Sequence, residues 1–489
     1  MKIAIIGAGA AGCFCAIELK RRMPSVSVEV FEAGPKALAK VAVTGGGRCN
    51  LTNSFEGISS LSAAYPRGEK LMKRLFRSFD HNDTVRWFEN EGVRLVLQED
   101  HCYFPVSQDA MEIVNTLLTG MRRAGVALYT HRRVSGICPL PSGGYSLAFA
   151  SAADVPRSNL AAGASTLRQT QCPAGSATQV CVTHSTVAEL CRTTNSATIS
   201  AVSNTSVAEP VEAPAPVVQH ISPAIEAPTV RDYAFDIVVV TTGGSPKLSG
   251  LGMLSGLGLE IVPPVPSLFT FNLPGSPVRE LMGTVVENVS ASLPGTKFKA
   301  SGPLLITHWG MSGPAILKLS SYAARYLADN EYSATLSVNW FGEQSEQSVR
   351  ETLGGMSSAN QQKFIINTHP SELPSRLWTY LILKCGIRED SRWAELGSKG
   401  MNRLVNTLTN DEYKIRGKSR FKEEFVTCGG VALSNINPST LECKHLPGLY
   451  FAGEVLDVDA ITGGFNLQAA WTMAHAVAIS VSGRVDGRI

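Results

Sequence analysis

The stretch from Lys2 to Glu32 constrains the fold of this chain more than any other. It reads as an apolar strand (Ile3 to Ile6), the run Gly7-Ala8-Gly9-Ala10-Ala11-Gly12, a helix through about Lys20, a turn at Pro24, and a second strand from Val26 to Phe31 closed by Glu32. Glycines at that spacing allow a tight strand-to-helix turn at Gly7, approach of a pyrophosphate to the backbone at Gly9, and close helix–strand packing at Gly12. The helix start, at Ala10 and Ala11, then offers free N–H groups and a positive dipole end to phosphate. Glu32 lies where a carboxylate can accept hydrogen bonds from an adenosine ribose. A dinucleotide site on a parallel α/β sheet follows, and the motif alone does not separate FAD from NAD.

A chain of 489 residues is long enough for two or three domains. Its net charge of +3 is too small to point to nucleic acid or an anionic membrane as the main partner. No apolar run is long enough to span a bilayer. The first strand begins at once, leaving no room for a secretory leader, so the expected compartment is the cytoplasm. The 11 cysteines include no CxxC pair and no zinc-type spacing, so neither a metal site nor a disulfide framework is expected.

After Glu32 comes Val43-Thr44-Gly45-Gly46-Gly47-Arg48-Cys49-Asn50-Leu51-Thr52-Asn53. Consecutive glycines are most easily explained where the chain passes close to a flat or charged ligand, which singles out Gly46 and Gly47, with Arg48 as a phosphate or carbonyl partner. Together with the opening motif, this segment resembles the HI0933-like flavoproteins, also called the BaiN or aminoacetone oxidase family of NAD(P)/FAD-dependent oxidoreductases. Further matches are Phe104-Pro105-Val106-Ser107, Thr242-Gly243-Gly244, Thr307-His308-Trp309-Gly310-Met311-Ser312-Gly313-Pro314, and Phe451-Ala452-Gly453-Glu454 running on to Gly463-Gly464-Phe465-Asn466-Leu467-Gln468. The chain departs from the family pattern at His101-Cys102, in the shorter Lys247 to Gly258 segment, and at Asp459-Ala460-Ile461.

The resemblance implies an α/β fold: a Rossmann-like FAD-binding domain of the two-dinucleotide-binding flavoprotein type, interrupted by a small β-barrel with a helical insert. The expected division is 1–262 and 441–489 for the two pieces of the FAD domain, 263–344 and 415–440 for the barrel, and 345–414 for the helical insert. Residues 151–230, rich in Ala, Ser, Thr, Val and Pro, bury too little apolar surface to offset their conformational entropy and read as a disordered insertion. The spacing of Cys172, Cys181 and Cys191 within it fits no standard metal site. Val126 to Ile137 reads as one strand, and Phe235 to Val240 as a buried parallel strand. By the resemblance, Val134 offers main chain to the adenine, Thr242 and Gly243 form a second cofactor-approaching turn, and Gly453 with Glu454 faces the ribityl chain and pyrophosphate. Gly464, Asn466 and Leu467 open a helix whose N-terminus suits the flavin pyrimidine edge, where reduced flavin carries negative charge.

For chemistry, His308 is the candidate acid/base, set in a turn before a helix, and Cys49 the candidate redox thiol. No second GxGxxG follows another strand, so a dedicated nicotinamide domain is not visible, although NAD(P)H can still serve as a transient donor. The expectation is an FAD-dependent oxidoreductase of a small-molecule substrate. The alternatives are a flavin-dependent amine oxidase using dioxygen and a non-catalytic flavin-binding sensor or scaffold. Substrate and oligomeric state are not legible.

Overall fold

In the computed structural model, residues 1–150, 233–245, 247–417 and 426–485 are described. The expected insertion at 151–230, with its three cysteines, falls outside them. The described residues of the first piece of the chain supply ten strands: β1 (Lys2–Ile6), β2 (Ser27–Phe31), β3 (Thr52–Asn53), β4 (Leu95–Leu97), β5 (Cys102–Pro105), β6 (Ala127–Tyr129), β7 (Val134–Pro139), β8 (Tyr145–Phe149), β9 (Ala234–Phe235) and β10 (Ile237–Val240). β1 is the centre of a parallel sheet flanked by β10 and β2, with β6 outside β2. The Ile-Val-Val-Val run of β10 is buried throughout, as a strand covered on both faces requires.

The strand expected over Val126 to Ile137 is two strands. β6 joins the parallel sheet, whereas β7 turns away and pairs antiparallel with β8. The break falls at His131, which takes a positive φ of 55°. Its cause is hydrogen bonding: His131 N–H donates to Gly34 O at 3.0 Å and Arg132 N–H to Glu32 O at 2.8 Å. The chain is thereby folded over the end of β2.

The second domain uses β11 (Ile261–Ser267), β12 (Phe271–Asn272), β13 (Val285–Ser292), β14 (Lys299–Ile306), β15 (Gly310–Ser312), β16 (Ser333–Asn339) and β17 (Asp411–Arg416). Six of them, β12-β15-β14-β13-β16-β17, form an antiparallel sheet that nearly closes into a barrel, with Asn272 Nδ2 donating to Arg416 O at 3.1 Å across the seam. Between β16 and β17 lie the helices Glu346–Ala359, Ser375–Lys384 and Gly397–Thr409. Trp340, Trp378 and Trp393 fill the core there. The return strand β18 (Val426–Val431) pairs antiparallel with β11 in a two-stranded link, outside the barrel sheet.

β19 (Leu449–Phe451) completes the parallel sheet beside β10, and the chain ends in the helix Phe465–Val485. That helix packs on the first one, Ala10–Arg22, through Phe14 and Trp471, whose rings are 5.5 Å apart. Burial of each such aromatic contributes about 2–3 kcal/mol. Between the two helices Glu18 accepts from Trp87 Nε1 at 2.9 Å and lies 3.1 Å from His475 Nδ1. Although burial raises the Glu18 carboxyl, its bonds to His475 and Trp87 prevail and hold it at about 2. The two ends of the chain are thus bound into one unit.

Candidate cofactor site

The glycine turn is held by close packing. A Cβ on Gly7 would lie 2.6 Å from Thr241 O, and one on Gly12 only 2.0 Å from Gly7 O. Thr241, at the end of β10, donates its hydroxyl to Gly7 O at 2.8 Å. Gly9 differs: it precedes the helix with no side-chain cap, and a Cβ there would meet nothing within 4 Å. The N–H groups of Ala10, Ala11 and Gly12, in the first turn of the helix that follows Gly9, have no carbonyl partner within it. Glu32 accepts from Ala8 N at 2.9 Å and Gly34 N at 2.7 Å, one carboxylate oxygen to each, and so fixes the rim of the same opening. Val134 starts β7 two residues after Arg132, whose N–H bonds Glu32 O; its side chain is buried.

The Gly45-Gly46-Gly47 run is left-handed at all three positions, with φ of 56°, 68° and 82°. Gly46 is exposed, and a Cβ on Gly47 would meet nothing within 4 Å. Arg48 is committed to shaping this loop, its guanidinium 4.4 Å from the Phe104 ring and bonded to Gly45 O and Gln108 Oε1. On the other side, Thr242 is exposed beside Gly243. A Cβ on Gly244 would lie 2.4 Å from Glu454 Oε1. Glu454 accepts from Thr427 N at 2.7 Å and from Lys40 Nζ at 3.4 Å.

The N-terminal and C-terminal motifs meet. A Cβ on Gly453 would be 3.2 Å from the Ala11 Cβ. A Cβ on Gly464, where φ is 85°, would be 2.6 Å from both Asn50 Oδ1 and Thr52 O. Thr52 Oγ1 donates to Gln468 Oε1 at 2.5 Å, Trp471 Nε1 to Leu51 O at 3.1 Å, and Tyr65 OH to Phe465 O at 2.8 Å. The opening of the last helix is therefore seated on the 50–53 segment. Asn466 is spent on this seat: its side chain bonds both Ala460 N and Ala460 O at 2.9 Å, leaving only its main chain, with that of half-buried Leu467, for a ligand.

Asn50 Oδ1 is buried and has no hydrogen-bond partner among the described residues. A buried acceptor left unpaired costs about 1–3 kcal/mol, so its place beside the Gly464 helix start marks where a donor is missing. A flavin fits the residues present, since its pyrimidine edge carries an N–H donor as well as carbonyl acceptors for the helix N–H groups. The phosphates fit the open space at Gly9.

The expected catalytic pair is not gathered here. Cys49 is fully buried, and burial pushes its thiol up to about 12 against a hydrogen bond with Thr44 that lowers it. A redox thiol needs its thiolate, so that role does not fit Cys49. His308 is exposed on the β14–β15 hairpin, where its carbonyl accepts from Arg279 Nε at 2.6 Å. Slight burial, then Arg279, lower its pKa. Its bonds tie it to the barrel and to neither glycine opening.

Sequence reasoning passed over Asn50 and Asn53, which stood in the quoted loop, and Thr241, which stood between the buried strand and the turn. It also passed over Arg67. This guanidinium is paired with Asp459, at 2.6 Å for Nε to Oδ1, and donates to Ser321 O at 2.7 Å. The pair joins both pieces of the parallel-sheet domain to the barrel. No helix among the described residues is long and apolar enough to cross a membrane.

The model of the HI0933-like protein Rossmann domain matches residues 1–480. A 3-dehydro-bile acid delta(4,6)-reductase of Clostridium scindens is 24% identical over 97% of this chain and 97% of its own length. A ribosomal RNA dihydrouridine synthase of Haemophilus influenzae is 25% identical over 98% of each chain. Among solved structures, a 3-ketosteroid-delta4-(5alpha)-dehydrogenase from Rhodococcus jostii matches 98% of this chain and 96% of its own at 11% identity, with a TM-score of 0.44.

Proposed function

Because the chain belongs to the HI0933-like family of FAD-dependent oxidoreductases, we propose that it reduces a carbon–carbon double bond conjugated to a carbonyl in a small molecule, with NAD(P)H as electron donor. The observation that carries the cofactor reading is the meeting of two glycine-lined helix openings, Gly453 against Ala11 and Gly464 against Asn50. The substrate class rests on the two full-length relatives. One is named as a delta(4,6)-reductase of a 3-dehydro-bile acid and the other as a maker of dihydrouridine, which is uridine with the ring double bond beside a carbonyl saturated.

Bound FAD would supply two-electron transfer between donor and acceptor. The protein's part is to bind and orient. The N–H groups of Ala10, Ala11 and Gly12 would hold the pyrophosphate, Glu32 the ribose, and Gly453 and Glu454 the ribityl chain. Asn50 Oδ1 would be the acceptor available to the flavin's pyrimidine edge, and the N-terminus of the Phe465–Val485 helix would favour negative charge there.

The test is anaerobic. The purified protein should be yellow, NADH or NADPH should bleach it, and a cyclic enone such as 2-cyclohexenone should restore the colour. A colourless protein that cannot be reconstituted refutes the cofactor reading. Bleaching by amines alone, with colour returning only in dioxygen, replaces the reductase with an oxidase. Recovery with ribosomal RNA but with no free enone moves the acceptor to a base in RNA, the reading that the Haemophilus influenzae relative favours.

A further inference from the structure

Three segments converge on the glycine turn at Gly7 to Gly12. The first is the Thr242-Gly243 turn, since a Cβ on Gly7 would lie 2.9 Å from Thr242 Cα. The second is Gly453, where a Cβ would be 3.2 Å from that of Ala11, with Glu454 directly after it. The third is the 38–44 loop, pinned to the turn because Leu38 N–H donates to Ala8 O at 2.7 Å. Leu38 and Val41 are buried, Ala42 N–H closes on Leu38 O at 3.1 Å, and Thr44 Oγ1 donates to Val41 O at 2.8 Å. The loop so anchored presents Lys40 outward, its side chain 64% exposed.

Lys40 Nζ lies 3.4 Å from Glu454 Oε2, an ion pair that ties the first piece of the parallel-sheet domain to the last. The two oxygens of Glu454 are not equivalent. Oε1 accepts from the Thr427 main-chain N–H at 2.7 Å, which fixes the carboxylate, whereas Oε2 pairs with the exposed lysine and would lie 3.8 Å from a Cβ on Gly243. An exposed pair of this length contributes little to stability and is screened by salt, so releasing Lys40 costs little. A doubly charged pyrophosphate at the helix start changes the balance. It would stand beside the carboxylates of Glu32 and Glu454, against a helix end worth about half a positive charge. Arg48 is already committed to Phe104, Gly45 O and Gln108. Lys40, a compact ammonium on a flexible stem, is tied to this corner by its own loop and suits a phosphate oxygen.

We infer that Lys40 and Glu454 form a clasp at the pyrophosphate site that exchanges partners when the cofactor enters: the ammonium passes from Glu454 Oε2 to a phosphate oxygen, and Oε2 is left free to accept a ribityl hydroxyl. The assignment rests on the FAD reading of this site. Anchored through Oε1, the carboxylate keeps its place while its partner changes. Without the ammonium, Glu454 faces the pyrophosphate as an uncancelled like charge, so the loss exceeds that of one contact. Because the exchanging groups stand at the surface, binding weakens as salt rises.

Titration of the cofactor-free protein with FAD, followed by flavin fluorescence at low and at raised KCl, reads the clasp through affinity and needs no substrate. K40M should weaken FAD binding by about tenfold or more, and K40R by less than about threefold, with thermal unfolding of the apoproteins little changed. Raised KCl should weaken binding to the native protein more than binding to K40M. On an E454Q background, K40M should still weaken binding by about threefold or more, because the phosphate contact does not depend on the carboxylate. Equal FAD affinity in K40M and the native protein, or no effect of K40M once Glu454 is replaced, overturns the exchange and leaves the FAD reading standing. Native protein that takes up no FAD rejects the FAD reading itself, and the clasp with it.

Discussion

Gly9 and Gly12 belong to one motif but carry different burdens, and a pair of substitutions separates them. In Gly12→Ala the new methyl would lie 2.0 Å from Gly7 O and 2.6 Å from Thr241 Oγ1. Both belong to the hydrogen-bonded junction of β1 and β10, so the backbone must shift, at about 1–3 kcal/mol or more. In Gly9→Val the side chain enters open space, because a Cβ there meets nothing within 4 Å and φ is −86°, suited to any residue. The apoprotein should keep its stability, while the space needed by a phosphate is filled. Losing two charge-assisted backbone hydrogen bonds at about 1.5–3 kcal/mol each lowers affinity by roughly 10²–10⁴-fold. The assay is thermal unfolding of the apoproteins beside FAD titration by flavin fluorescence. Stoichiometric FAD in Gly9→Val, or a Gly12→Ala apoprotein as stable as the native one, refutes the reasoning.

Asn50→Ala removes the unpaired Oδ1 beside Gly464; the apoprotein should lose little stability while FAD affinity falls about tenfold, as for one hydrogen bond of about 1–1.5 kcal/mol, and unchanged affinity would return Asn50 to the loop alone. Glu18 is held at about 2 in the folded chain, below its value when unfolded, so its contribution is complete above about pH 4.5 and drains away as pH falls toward 2. Glu18→Gln should flatten that part of the acid-unfolding curve monitored by circular dichroism. Arg67→Met leaves Asp459 buried without its cation and should cost about 3–5 kcal/mol in denaturant unfolding, with Arg67→Met/Asp459→Asn recovering part of it. Cys49→Ser should leave the rate of flavin reduction unchanged, and iodoacetamide on the native protein should label Cys138, exposed, and spare Cys49, buried.

The strand–turn–helix at the N-terminus was legible because its constraints are local: each glycine answers to neighbours within a few residues or to the strand end directly beside it. Val134 shows the limit. Its strand was read as continuous from Val126, but the bonds that break it come from Glu32 and Gly34, about 100 residues away in sequence. Asn466 sat in a recognisable motif, yet its side chain faces back to Ala460, which periodicity does not reveal. Cys49 and His308 had suitable chemistry and lacked a suitable setting, since burial and exposure are properties of the packed chain.

What the amino-acid order determined by itself was the glycine geometry, the apolar parallel strands and the acid at the end of β2, because backbone sterics and side-chain alternation act over short range. Tertiary structure alone decided that Gly453 lies against Ala11 and that Gly464 lies against Asn50. Those juxtapositions join residues hundreds of positions apart, and only the packing of the last helix on the first, with the docking of the barrel through Arg67 and Asp459, brings them within reach.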